Sequence, residues 1–361
     1  MKIITIIKSI AFVAIASLLS FTHVLAESPK YTVDGSNYMQ HADKLTEGQI
    51  KTFESYADYR IDVYETSAEC RLPDAVRAVS QTNSKMVNGN EGIEWTTLGA
   101  KPFPNPTHAQ HYIWNHRSAP HYNASIHRTL TAYIVKSDGS STVGKGDNYI
   151  EFPGALSSPL RGQVDENIYA LYMVKNMSPA RIAGTLTMLH DFYDGALQPR
   201  KAWQYSPATR RVRRAPDISY DSLTAAGGGI QTIDSYGGFN GAQDKYDWSY
   251  EGMKKMIVPN NNDMLADSTI ENTFTPNHPN PDVVRFEEMD VHIVHAQLKP
   301  GQRHLYASRT FYYMDGNPGM LLYHDMYDGN QDLMRASYQT TVQGNMGGQG
   351  LEDTTCNVQG E

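Results

Sequence analysis

From His127 onward the sequence is a succession of strand-length apolar runs broken by tight-turn signals, and that spacing restricts the fold more than any other feature. HRTLTAYIV (127–135), NIYALYMVK (167–175), TLTMLHDFY (185–193), KAWQYS (201–206) and TRRVRR (209–214) come first. DWSYEGMKKMIV (247–258), VRFEEMDVHIVHAQL (284–298), HLYASRTFYYMD (304–315), GMLLYHDMY (319–327) and DLMRASYQTTV (332–342) follow. Pro207, Pro300-Gly301, Asp315-Gly316 and Asp328-Gly329 mark the turns between neighbours. Parallel neighbours need a crossover of a dozen or more residues, so strands joined this tightly pair antiparallel. The 23 Tyr and 10 Phe suit a pleated, half-buried surface. NIYALYMVK is apolar on both faces, as expected for a sheet covered on both sides. The expectation is a mainly β protein: one large curved antiparallel sheet, curling into a half-barrel, with a few helices covering its concave side.

The leading part differs. Residues 1–26 read as a signal peptide, with Lys2 and Lys8 ahead of a short apolar run from Ile10 to Phe21 and small residues before a cut after Ala26. The run is shorter than the ~20 residues of a bilayer span. Export to the periplasm is therefore expected. Leu45–Arg60 has helical spacing of Ile50, Phe53 and Ala57, with Thr46 as N-cap and Glu47 in the first turn. Residues 71–81 read as a second helix, and Pro102, Pro104 and Pro106 as an extended loop. Residues 27–343 are expected to form a single domain, and 344–361, rich in Gly and Gln, a disordered or truncated tail. Beyond residue 26 the chain carries 29 basic against 39 acidic residues, a poor balance for a nucleic-acid binder. Cys70 and Cys356 are the two cysteines; export permits a bridge between them, and geometry decides it.

Signatures of chemistry are sparse. The chain has no G-x-S-x-G elbow and no H-E-x-x-H. GSSTVGKG (139–146) mimics a phosphate loop but ends in Gly146 where Ser or Thr is required, so it reads as a hairpin loop. His108, His111, His116, His121 and His127 form a cluster that a metal hydrolase would need to converge, against which stand Pro106 and Pro120; the plainer reading is polar loop histidines. No catalytic residue, metal or cofactor is expected. Arg210, Arg211, Arg213 and Arg214 read as a charged sheet edge or as a site for phosphate or carboxylate headgroups, which the guanidinium fork suits. Gly-rich AAGGG followed by FNGAQDKYDW (239–248) reads as a lid or as a crossover packed on the sheet. Methionines scattered through the strands are ordinary core or the lining of an adaptable apolar cavity. The ligand-binding candidates are Arg211, Arg213, Met173, Met188, Trp203, Tyr205, Phe239 and Trp248.

LTEGQ (45–49), KPFPNP (101–106), IWNHR (113–117), AGTLT (183–187), AWQYSPATRRVRRAP (202–216), FNGAQDKYDW (239–248), KKMIVPNN (254–261), LKPGQRHLYASRTFY (298–312) and YDGNQDLMRASY (327–338) resemble an uncharacterised proteobacterial periplasmic family. That family, a domain of unknown function, is similar in fold to the lipoprotein carrier and receptor LolA and LolB of outer-membrane sorting. The resemblance implies a half-open barrel over an apolar cavity, and work near resistance-nodulation-division type transporters or outer-membrane partners. It implies no catalytic residues. The leading functional expectation is a carrier for a lipid, lipoprotein acyl chain or other hydrophobe. The alternative is an accessory or sensor protein docking on an envelope transporter without a ligand of its own; a His-cluster hydrolase is the least favoured.

Overall fold

The computed structural model describes residues 28–66, 85–87, 92–94, 101–118, 124–136, 138–155, 158–215, 220–224, 228–317, 319–345 and 354–360. The signal-peptide segment, the helix expected at 71–81, His121 and Cys70 lie outside the described residues. In chain order come β1 (Tyr31–Asp34), α1 (Glu47–Ser55), β2 (Arg60–Tyr64), β3 (Lys85–Val87), β4 (Gly92–Glu94) and α2 (Ala109–Ser118). A continuous meander follows: β5 (Ser125–Val135), β6 (Ser141–Glu151), β7 (Ile168–Ser178), β8 (Leu186–Phe192), β9 (Lys201–Ser206) and β10 (Arg211–Arg214). Then come β11 (Tyr246–Pro259), α3 (Asp263–Asp267), α4 (Ile270–Thr273), β12 (Phe286–Leu298), β13 (Ser308–Met314), β14 (Leu321–Tyr327), β15 (Leu333–Tyr338), β16 (Thr340–Asn345) and β17 (Thr354–Gly360).

The protein is mainly β and overwhelmingly antiparallel, with few helices, as the turn spacing predicts. The strands divide between two large sheets. One has seven strands in the order β1-β2-β12-β13-β14-β15, with β11 also on β12; the other is the six-strand meander β5 to β10 in sequence order. Among the described residues neither closes on itself. One short parallel contact, Phe286–Glu287 of β12 against Val63–Tyr64 of β2, joins the N-terminal hairpin to the long strands. β16 and β17 form a separate hairpin. GSSTVGKG enters β6 and pairs along β5 from Val135↔Ser141.

The seven-strand sheet is covered on both faces, so β14 is buried at all positions from Leu321 to Met326. On one face, Phe53 of α1 packs with Val33, Ile61, Ile257, Val291 and Leu322. Thr46 caps α1 by accepting from Gln49 N–H, and the Gln49 side chain accepts from Thr46 N–H, a capping box. On the other face, Ile113 of α2 packs with Phe239, Val294, Phe311 and Tyr313. His116 of α2 staples two loops, with Nδ1 3.0 Å from Gly319 O and Nε2 2.8 Å from Gly237 O.

The segment 228–243 lies between the two sheets and bonds to both. Asp234 receives two bonds from Arg309 of β13, at 2.8 and 3.0 Å. The Tyr236 hydroxyl accepts from Asn148 of β6 at 2.6 Å and from Arg128 of β5 at 3.2 Å. Asn240 accepts from Arg200 through its side chain at 2.8 Å, and Arg200 also holds Asp191 at the end of β8. Segment 228–243 is thus an internal spacer.

Candidate functional site

β5 ends the six-strand sheet and β15 ends the seven-strand sheet. Between them lies a cleft of about 750 Å³. Four consecutive residues of β5, Thr131–Ile134, and four of β15, Arg335–Tyr338, line it. Successive strand side chains point to opposite faces, so a space touching four in a row looks onto the strand's edge. The short helices close one end: Leu265 of α3 and Phe274 just after α4 line the cleft, and Asn262 N–H anchors this segment to Thr341 O at 2.6 Å. Ile230 and Phe274 keep 52 % and 40 % of their surfaces exposed, which puts apolar surface at the cleft's margin. The volume falls in the range of roughly 300–1,000 Å³ usual for small-molecule sites.

The floor of the cleft rests on a buried polar network. Tyr306 lines the cleft and is itself fully buried; its carbonyl accepts from Tyr246 O–H at 2.9 Å, and its N–H donates to His304 Nδ1 at 3.0 Å. The Arg309 guanidinium sits 4.8 Å from the Tyr306 ring centre and pairs with Asp234. Burial alone would raise the Asp234 carboxyl, but Arg309 and His304, whose Nε2 is 3.1 Å away, hold it well below the usual carboxylate range. On the cleft side, Arg335 donates to the Tyr306 hydroxyl at 2.7 Å.

The candidates named from sequence fall into two other groups. The pairing register aligns His127, Tyr149, Met173, Met188, Trp203 and Arg214 in one row across the six-strand sheet. Met173 and Met188 are exposed there, and Tyr205 projects from the same face of β9. Arg211 and Arg213 pair with Ser206 and Gln204 on the opposite face of β10 and are exposed. Phe239 is buried, with Trp248 5.5 Å and Phe311 5.6 Å away. None of these eight side chains lines the cleft.

Of the described histidines of the cluster, His108 and His111 stay in edge contact with ring centres 5.0 Å apart, whereas His116 and His127 meet other partners. His111 accepts from Thr107 N–H and stacks on Phe103, and His127 stacks on Tyr149. Burial pushes His111, beside His108, down to about 4. Burial also takes His116 to about 4, against the pull of the Gly319 carbonyl. Among the described residues no three His, Cys, Asp or Glu side chains converge in a way that could hold a metal.

The sequence reading missed Arg335 and Tyr306. The available signal was that Arg309 and Arg335 are lone cations in otherwise uncharged strands.

Residues 32–358 match the family model described as "Protein of unknown function (DUF1329)". The chain belongs to the DUF1329 family. A relative in Pseudomonas aeruginosa, the uncharacterised protein PA3922, is 35% identical over 318 residues, which is 86% of this chain and 69% of that protein. Among solved structures, a DUF1329 protein from Desulfovibrio piger matches with a TM-score of 0.39 and 16% identity, covering 60% of this chain and 71% of that one. A domain described as outer membrane lipoprotein-sorting, from Vibrio parahaemolyticus, gives 0.41 and 14%, covering 67% and 79%. A LolA superfamily protein from Nitrosomonas europaea gives 0.39 and 12%, covering 67% and 81%. At such scores the structural likenesses carry no functional weight, and the function of this DUF1329 chain is argued from its own cleft. Among the described residues no helix is long and apolar enough to cross a membrane.

Proposed function

We propose that the protein is a non-enzymatic binding protein of the Gram-negative periplasm that holds a hydrophobic ligand, a lipid or a lipoprotein acyl chain, in the cleft between its two sheets. The observation that carries this reading is the cleft of about 750 Å³ bounded by β5 and β15 and rimmed by exposed Ile230 and Phe274. Apolar surface removed from water in such a space contributes about 25 cal/mol per Å². The signal-like start of the chain supports export. The test is uptake of a neutral fluorescent hydrophobe, N-phenylnaphthylamine, with native mass spectrometry of gently purified protein. Saturable uptake that Ile134→Trp reduces supports the reading; absence of both uptake and a co-purified lipid removes it.

A second reading has its own observation. One face of the six-strand sheet exposes Met173, Met188 and Val212 together with Arg214 of β10, which meets no carboxylate among the described residues. Charge complementarity fits this face to an acidic surface on an envelope transporter or outer-membrane partner. A photo-crosslinker in place of Trp203 is expected to trap one partner in intact envelopes, and Arg214→Gln, on the same face, to weaken the adduct. An adduct indifferent to Arg214 removes this reading.

A further inference from the structure

The lining of the cleft is chemically lopsided. Among the described residues that line it, Arg335 is the single charged side chain and none is a carboxylate. Nor does any carboxylate elsewhere among the described residues pair with Arg335: its side chain makes one hydrogen bond, to the Tyr306 hydroxyl, and lies 5.6 Å from that ring's centre. A guanidinium has five N–H donors in a fixed fork, so most of the fork is left for another acceptor. Around it the lining mixes apolar side chains, Ile134 on β5, Leu265, Phe274, Val284 and Met326, with uncharged polar ones such as Thr131, Gln231 and Ser268.

The direction of Arg335 is set from inside the protein. Tyr306 cannot turn freely, because its backbone is bonded on both sides, by Tyr246 and His304, and its ring is stacked on Arg309. Arg309 in turn is fixed by two bonds to Asp234, which segment 228–243 holds in place. Ser337, two residues further along β15, projects the same way as Arg335 and also lines the cleft. The aromatic floor therefore holds the one cation of the described lining beside the Ser337 hydroxyl and within reach of apolar surface.

We infer that the ligand of the cleft is an anionic amphiphile: an apolar chain ending in a carboxylate or phosphate, with the acid group on Arg335 and Ser337 and the chain along Ile134, Phe274 and Met326. The inference rests on the carrier reading and adds the chemistry of the ligand's head. Charge-assisted bonds of a guanidinium to an acid are the strong class of hydrogen bond.

The experiment is displacement of N-phenylnaphthylamine from the full chain by three competitors of equal chain length: oleate, oleoyl lysophosphatidate and oleyl alcohol. The expected result is that at least one acid displaces the probe at about a tenfold lower concentration than the alcohol. Which acid prevails tells a free fatty acid from a phosphate-bearing lipid. Arg335→Gln is expected to erase the difference while leaving the alcohol within about twofold of its wild-type value, which also reports that the variant is folded. Tyr306→Phe, which keeps the ring and frees the guanidinium, is expected to give an intermediate preference. Equal displacement by all three competitors in the wild type overturns the inference and leaves the carrier reading standing, as does a preference that survives Arg335→Gln. Failure of the probe to bind at all overturns both.

Discussion

Asp325 is the residue at which burial and ionisation compete most directly. It is fully buried in β14, its Oδ2 accepts long bonds from Gly48 N–H at 3.4 Å and Tyr312 O–H at 3.3 Å, and Oδ1 has no partner. Burial pushes its carboxyl up to about 7, the bonds from Gly48 and Tyr312 pull it down, and Glu47 nearby adds to the rise. The folded chain thus keeps this proton to a higher pH than the unfolded chain, whose Asp titrates near 4. The stability Asp325 contributes is complete below about pH 4 and is lost as the pH rises through about 7. Asp325→Asn stays neutral, so its stability relative to the parent is expected to grow by roughly 2 to 3 kcal/mol between pH 5 and pH 8. Urea unfolding at the two pH values measures this, and identical pH responses of variant and parent would refute it. The run GMLLYHDMY declares a strand plainly enough, but not that both its faces are covered. Only that double covering buries His324 and Asp325 together, and it comes from elements far away in the sequence.

At the scale of elements, α1 shows what local sequence can and cannot announce. Its cap was legible at Thr46, and Gln49 completes the capping box three residues on. The role of Gly48 was not. A Cβ there would lie 2.4 Å from Ala336 Cβ and 2.6 Å from Asp325 Oδ1, so the helix approaches β14 and β15 as closely as it does only because the side chain is absent. Gly48→Ala is expected to lower stability by about 1 to 3 kcal/mol through overpacking, outweighing the ~1 kcal/mol that helix propensity favours for Ala. Thermal unfolding decides the sign; a stabilised variant would mean the helix can ride up at no cost. The strands tell a parallel story. KAWQYS and TRRVRR were readable on either side of a proline turn, whereas β6 was hidden by its glycines, Asp147 and Asn148, residue types depleted in strands. Its place is dictated by β5 and β7 on either side.

At the scale of the whole molecule, the sequence conveyed an antiparallel meander but not its division into two sheets. That division depends on segment 228–243, whose glycines and polar residues read equally as lid or crossover until their partners are known. Asn240 is its hub: its amide donates to Ile233 O at 2.9 Å and Tyr236 O at 2.6 Å, and its oxygen accepts from Arg200 at 2.8 Å. Asn240→Ala is expected to cost about 1 to 3 kcal/mol and, in hydrogen–deuterium exchange, to loosen β5 to β10 more than β11 to β15. Equal loosening of both sheets would overturn the assignment of Asn240 to the six-strand side of the spacer. The site was the least legible part, because Arg335 and Ile134 belong to strands some two hundred residues apart whose only relation is that each ends a sheet. The gap between those two borders has a mechanical consequence. It is an unstitched seam rather than a hole through woven cloth: among the described residues no strand-to-strand hydrogen bond crosses it, so on the carrier reading proposed above a guest would come and go without any part of the vessel unfolding.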